Sequence, residues 1–101
     1  MEGSASNVAS GAYAHAEGIN TKAYGEASHA EGTGSIAGVN GESYSRYSHA
    51  EGDRTKALGS YAHSEGTLTE ATGNGSHTEG FYTQAAGDYS HAEGNYSYAD
   101  R

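Results

Sequence analysis

The sequence predicts an all-β fold: a parallel β-solenoid of 14-residue coils, each made of two seven-residue half-repeats. Three observations predict it. The string His-x-Glu-Gly occurs six times, at His15, His29, His49, His63, His77 and His91, with spacings of 14, 20, 14, 14 and 14 residues. A second string with the same skeleton lies between copies: Thr21-Lys22-Ala23-Tyr24-Gly25, Thr55-Lys56-Ala57-Leu58-Gly59, Thr69-Glu70-Ala71-Thr72-Gly73 and Thr83-Gln84-Ala85-Ala86-Gly87. Third, the 101 residues include 16 Gly but no Pro or Trp and only one Phe and one Met, too few large apolar side chains for an ordinary core. Self-similarity at a fixed period is the mark of stacked repeats. Low hydrophobicity with a net charge of −8 would alone suggest disorder. Strict periodicity implies order instead, because identical units stack on one another.

The unit is small-x-Ala-x-Gly-x-x, where "small" is Ser, Thr or Ala. Frames begin at Asn7, Ala14, Thr21, Ser28 and Ser35, and resume at Ser48, Thr55, Ala62, Thr69, Ser76, Thr83, Ser90 and Ser97. A coiled coil also repeats every seven residues, but it needs apolar a and d positions between helix formers. A Gly in every heptad would cost about 1 kcal/mol each relative to Ala, so the helix reading fails. In a strand, the small residue, Ala and Gly share one face and the two x residues share the other. The small face is the expected interior, because two sheets closing on each other leave room only for tiny side chains. Each five-residue strand is expected to end in a two-residue corner, with Gly supplying the positive φ or close approach that a corner requires. About seven coils at ~4.8 Å give a rod of roughly 34 Å.

The outward positions differ between the halves. One half always carries the pair His15/Glu17, His29/Glu31, His49/Glu51, His63/Glu65, His77/Glu79 and His91/Glu93, whereas the other varies from Lys22/Tyr24 to Glu70/Thr72. A face that repeats one pair at every level is expected to make the same contact at every level, as a subunit interface parallel to the rod does. Ala and Ser methyls return little at ~25 cal/mol per Å² of apolar area, so the fold is expected to be completed by association. Tyr13, Tyr47, Tyr61 and Tyr89 each lie two residues before a His, with Ala27 and Gly75 as exceptions, and predict a partial aromatic ladder along one corner. The stretch 38–47 breaks the frame, and Gly38-Val39-Asn40-Gly41-Glu42-Ser43 supplies six extra residues around an Asn-Gly turn signal. Val39, Asn40, Gly41 and Glu42 form a candidate ligand-contact loop, since insertions in repeats often map to one binding face.

Other classes are excluded. Without Cys there are no disulfides or thiolate metal sites. No run of 18 apolar residues exists, so no membrane insertion is expected. Five Lys plus Arg against thirteen Asp plus Glu give no electrostatic footprint for nucleic acid. The start, Met1-Glu2-Gly3, lacks the features of a signal peptide. Residues 1–6 are expected to be an added start or partial coil, and residues 7–101 a repeat domain from a longer fibre protein.

These heptads resemble the head repeats of YadA-type trimeric autotransporter adhesins, the Hep-Hag repeats. The variant Ser28-His29-Ala30-Glu31-Gly32 also resembles repeats of phage tail-fibre and prophage surface proteins. The resemblance covers residues 7–101. It implies a left-handed parallel β-roll, an obligate homotrimer around a threefold axis, and no enzyme activity. It further implies an adhesive head segment of an outer-membrane-anchored fibre or virion, attaching to a host extracellular-matrix protein or cell-surface glycan. The alternative is a non-binding spacer in a phage fibre. Family heads carry apolar residues at the outward positions of the seam, where this sequence has His and Glu.

Six His beside six Glu also raise metal binding and catalysis. A threefold axis would bring three His together at each level, as in a tris-histidine zinc site. Functional sites are usually singular, however, whereas this pair is written into every coil. The sequence therefore favours a hydrogen-bonded His–Glu ladder across a subunit seam, with no cofactor and no catalytic residue. In such a seam the carboxylates would raise the histidine pKa above its unperturbed ~6.5. Moderate acid would then leave the assembly intact until the carboxylates protonate below about pH 4.

Overall fold

The computed structural model describes residues 7–40 and 45–100. Those residues form thirteen parallel strands and no helix. Each His-x-Glu-Gly string lies in a five-residue strand: β2 (His15–Ile19), β4 (His29–Thr33), β6 (His49–Asp53), β8 (His63–Thr67), β10 (His77–Phe81) and β12 (His91–Asn95). The intervening strings give two-residue strands: β1 (Val8–Ala9), β3 (Lys22–Ala23), β5 (Ile36–Ala37), β7 (Lys56–Ala57), β9 (Glu70–Ala71), β11 (Gln84–Ala85) and β13 (Tyr98–Ala99). The long strands stack in the order β12-β10-β8-β6-β4-β2 and the short ones in the order β1-β3-β5-β7-β9-β11-β13. Even strands therefore make one sheet and odd strands the other, as a solenoid with two strands per coil requires. The longest dimension is 36 Å, close to the rod expected from the repeat count.

Register is strict. His29 pairs with His49, Ala30 with Ala50, Glu31 with Glu51 and Gly32 with Gly52, and the same alignment joins β2 to β4 and β10 to β12. The interior is the small face of the heptad: Ala23, Ala30, Ala37, Ala50, Ala57 and Ala71 are fully buried, as are Thr21, Ser35, Thr55 and Thr83. Among the described residues no fully buried side chain is larger than threonine. Buried hydroxyls need partners, and many find them inside the coil or one coil away. Ser28 Oγ donates to Gly25 O at 2.6 Å, Thr55 Oγ1 to Ser35 Oγ at 3.0 Å and Thr78 Oγ1 to Ser64 Oγ at 2.9 Å.

The corners differ from expectation in two ways. The glycine of the His half does not face the interior. Gly52 lies inside β6 at φ 123°, and together with Gly18, Gly32, Gly66 and Gly80 it floors an external groove. A Cβ on Gly52 would sit 2.1 Å from Gly66 O, because in-register stacking sets each glycine directly against the next. In addition, the left-handed corner residues are mostly not glycine. Tyr13, Ala27, Tyr47, Tyr61 and Tyr89 hold φ between 54° and 63° at one corner, as do Asn20, Arg54, Leu68, Tyr82 and Tyr96, at 56° to 63°, at the other. Such a conformation costs a bulky residue roughly 1–2 kcal/mol. Eight of these ten residues are held by an N–H that donates to the preceding coil, as Tyr61 N does to Arg46 O at 2.9 Å and Tyr82 N to Thr67 O at 3.0 Å.

The insertion is displaced by one residue from the sequence reading. Gly38 keeps its ladder bond to Ala57 O at 2.8 Å, and a Cβ on Gly25 would meet Ser45 O at 1.9 Å. Ser45 thus takes the corner place that glycine fills in other coils, and 39–44 are the extra residues. Val39 N donates to Ser45 Oγ at 2.9 Å and closes the neck of the loop. Val39 is half-buried and Asn40 exposed; Gly41 and Glu42 of the candidate contact loop lie outside the described residues.

Two substitutions test the register. Ala71→Leu forces three extra carbons into a fully occupied interior and should destabilise by at least the ~1–3 kcal/mol typical of overpacking. Glu70→Ala removes only an exposed hydrogen bond with Gln84 and should stay within about 0.5 kcal/mol. Chemical denaturation compares them; equal losses would place the strands out of register.

Candidate functional site

Parallel in-register pairing converts the repeated pair into two columns on the outer face of the six-stranded sheet. Within a strand, His and Glu are two residues apart and therefore point to the same side. Between strands, each imidazole lies over the next. Ring centroids are 4.7 Å apart for His15–His29, 4.8 Å for His29–His49, 4.9 Å for His49–His63, 4.8 Å for His63–His77 and 4.6 Å for His77–His91. From His29 to His91 neighbouring planes are within 5° of parallel. Glu17, Glu31, Glu51, Glu65 and Glu79 form the parallel column and, with the glycines beside them, line an open groove of about 760 Å³.

The candidate interface residues are thus brought together, but their pairing is within the chain. His15 Nε2 and Glu17 Oε1 form a hydrogen bond at 2.9 Å. The corresponding distances are 3.6 Å for His29–Glu31, 3.1 Å for His49–Glu51, 3.4 Å for His63–Glu65, 3.5 Å for His77–Glu79 and 3.4 Å for His91–Glu93. Proximity does not amount to a hydrogen bond in the middle of the rod. Nε2 of His29, His49, His63 and His77 is shielded from solvent and has no hydrogen-bond partner, although carboxylates lie beside it. The carboxylate oxygens stand 3.1–3.6 Å from these nitrogens without meeting hydrogen-bond geometry. His49 differs from its neighbours, because its Nε2 is within 4 Å of two carboxylates: Glu51 Oε1 at 3.1 Å and Glu31 Oε2 at 3.8 Å.

Charge is distributed unevenly along the columns. The carboxyl of Glu51 is held above the ordinary carboxyl range by a shared proton with Glu31 and by burial, whereas Glu31 is held below it by the same bond. Glu65 is also lowered, chiefly by its hydrogen bond with Glu79. His63 is pushed down from 6.5 by burial first and then by the flanking His49 and His77, and the raising influence of Glu65 and Glu79 does not offset them. In the single chain this is opposite to the upward shift expected for a His–Glu pair across a seam: burial comes first, and stacking adds like-charged rings on both sides of His63.

The aromatic corner is shorter than expected. Tyr47 and Tyr61 stack at 5.2 Å, but Ala27 and Gly75 isolate Tyr13 and Tyr89, which are 90% and 84% exposed. The sequence reading missed a second ladder at the other corner, where Tyr82 and Tyr96 stack at 5.1 Å with Phe81 edge-on to both. Its signal was present, since Tyr82 and Tyr96 each follow the glycine of a His-x-Glu-Gly string by two residues. They border a second groove of about 410 Å³ with Arg54, Lys56, Gln84 and Tyr98 on the variable side. Arg54 is tied to Asp53 at 3.0 and 3.1 Å.

The sign of the His63 shift sets a pH dependence. A histidine whose folded pKa lies below the unfolded value contributes stability at high pH and loses it as pH falls from the unfolded pKa toward the folded one. The thermal midpoint should therefore fall between about pH 7 and pH 5.5, and His63→Gln should flatten that slope. Melts across this range measure it; a midpoint that rises on acidification would restore the paired ladder.

No protein-family model matches the chain, and no curated protein matches it either.

Proposed function

We propose that the chain is a rod segment of a trimeric surface fibre. Three left-handed rolls lie side by side along their His–Glu faces, and the variable face is turned outward for attachment to a host or receptor surface. The observation that carries this reading is the His–Glu face itself. It is the same at every level, and from His29 to Glu79 its side chains keep about a third of their surface exposed, so a neighbouring copy could cover each coil with the same contact. The interior supports the same reading. Side chains no larger than threonine bury too little apolar surface to be the whole source of stability. The repeat resembles Hep-Hag heads, whose fibres are trimeric.

On this reading the outward face carries the attachment role, through the second groove beside Tyr82 and Tyr96 and through the loop after Gly38. Its partner would be an extracellular-matrix protein or a cell-surface glycan, and the fibre would stand on a cell surface or virion. A spacer role, as in a phage fibre, is favoured by one observation: the His half is nearly identical in every coil, and a uniform face extends length without adding a unique site.

Sedimentation equilibrium decides the assembly. A species of about 31 kDa, three times the 10.4 kDa chain, is expected, with a melting midpoint that rises with concentration. A folded monomer would end the proposal. Binding of the trimer to immobilised matrix proteins and glycans then separates attachment from spacing, since a spacer binds none of them.

A further inference from the structure

We propose that the groove between Lys56 and Tyr98 on the variable face binds a short extended glycan that carries an acidic sugar at its Lys56 end. The proposal deepens the attachment reading above and rests on it for the outward placement of this face. The groove of about 410 Å³ runs across four coils. Two columns line it: a corner column that holds Tyr82 and Tyr96, and an outward column that runs Lys56, Glu70, Gln84, Tyr98 in register. Unlike the His–Glu face, these columns change from coil to coil, so the combination occurs once along the rod. In the coils before Arg54 the corner places hold only Asn20 and Gly34, and the outward places hold Lys22 and Ile36.

A sugar ring presents C–H groups on its faces and hydroxyls around its rim, so it needs exposed aromatic carbon beside planar polar groups. Both are present. Tyr82, Tyr96 and Tyr98 are 45%, 68% and 61% exposed. Tyr82 and Tyr96 are steadied by their own stacking and by Phe81 edge-on to both, which lowers the ordering cost of binding. Beside them, Gln84 Nε2 donates to Glu70 Oε1 at 2.8 Å. That bond fixes the pair and leaves the Gln84 carbonyl, its second amide hydrogen and the other Glu70 oxygen for sugar hydroxyls. Successive levels advance by ~4.8 Å, close to the advance of one ring along an extended glycan, so successive sugars meet successive side chains.

Charge gives the glycan a direction. The chain has five Lys plus Arg against a net charge of −8, and two of those five, Arg54 and Lys56, meet at one end of this groove. The ion pairs that Lys and Arg make among the described residues are Arg46–Glu26 and Arg54–Asp53. Lys56 is therefore an unpaired, exposed cation, and a carboxylate on the sugar above it completes the pair. A polyanion is disfavoured, because Glu70 stands one coil from Lys56 and the whole molecule is negative. A proline-rich peptide would use the tyrosines but leave Lys56 and the Glu70–Gln84 pair without a role.

NMR titration of the intact chain tests this with sialyllactose, with a hyaluronan tetrasaccharide and with lactose, the neutral part of the first. Signals of Lys56, Gln84 and Tyr98 should move with the acidic probes, and sialyllactose should bind tighter than lactose by up to about fivefold. Lys56→Gln should erase that preference. Tyr98→Ala should weaken binding by up to about tenfold, whereas Tyr13→Ala, at the isolated corner tyrosine, should change nothing. Shifts in the unsubstituted protein keep the test valid if a variant folds poorly. No binding of either acidic probe, equal affinity for lactose, equally tight binding of a proline-rich peptide at the same signals, or shifts confined to the His–Glu face would each overturn the proposal. Sedimentation of the same samples keeps it separate from the trimer: a monomer that binds through these residues leaves the site standing and the assembly refuted, and a trimer that binds neither acidic probe does the reverse.

Discussion

The in-register backbone ladder is the constraint on which everything else rests. Parallel pairing of β2, β4, β6, β8, β10 and β12 sets like residue over like residue at every level. Whatever a position carries is therefore multiplied into a column, and only residues that tolerate their own copies at about 4.8 Å can occupy it. Alanine and threonine do so in the interior because they are small or can share hydroxyl hydrogen bonds. Glycine does so beside glutamate because any Cβ would collide with the next carbonyl. The corners obey the same rule: N–H groups of residues in the left-handed region bond to the coil before, and these bonds hold tyrosine in a conformation it would otherwise leave.

The same multiplication governs the electrostatics. A single His–Glu pair on a strand would favour the charged imidazole. Burial penalises the charged ring of His63, and the column adds a like charge above and below it, so His63 shifts down. Glutamates in a column likewise compete for protons, and Glu51 and Glu31 diverge although their sequence surroundings are the same. The variable sheet escapes this pressure because its outward residues change from coil to coil: Lys56, Glu70 and Gln84 follow one another, and Gln84 Nε2 donates to Glu70 Oε1 at 2.8 Å.

Much of the fold was legible in the heptad. Ala57 and Ala71 are buried and Lys56 exposed because strand alternation depends only on spacing. The corners were not legible. Tyr61 and Tyr82 read as ordinary β formers, and nothing in their chemistry announces a positive φ; the ladder bond from the preceding coil imposes it. The His and Glu columns could be placed from the sequence, yet the direction of the His63 shift could not, since it depends on burial first and then on ring stacking in three dimensions. The double contact of His49 was also invisible, because it arises from how the Glu31 and Glu51 side chains lie and not from any change in the repeated string.

The closed neck of the insertion has a consequence for how such a rod can vary. Twenty residues separate His29 from His49, where other neighbours in the column are fourteen apart, yet the two rings are 4.8 Å apart and parallel within 2°. Chain length and axial rise are therefore decoupled at this corner. The molecule is a ruler graduated in coils, and a lengthened loop between Gly38 and Ser45 leaves the graduations where they were. Surface loops can grow or be exchanged there without changing the reach of the rod, so reach and surface chemistry are free to evolve separately.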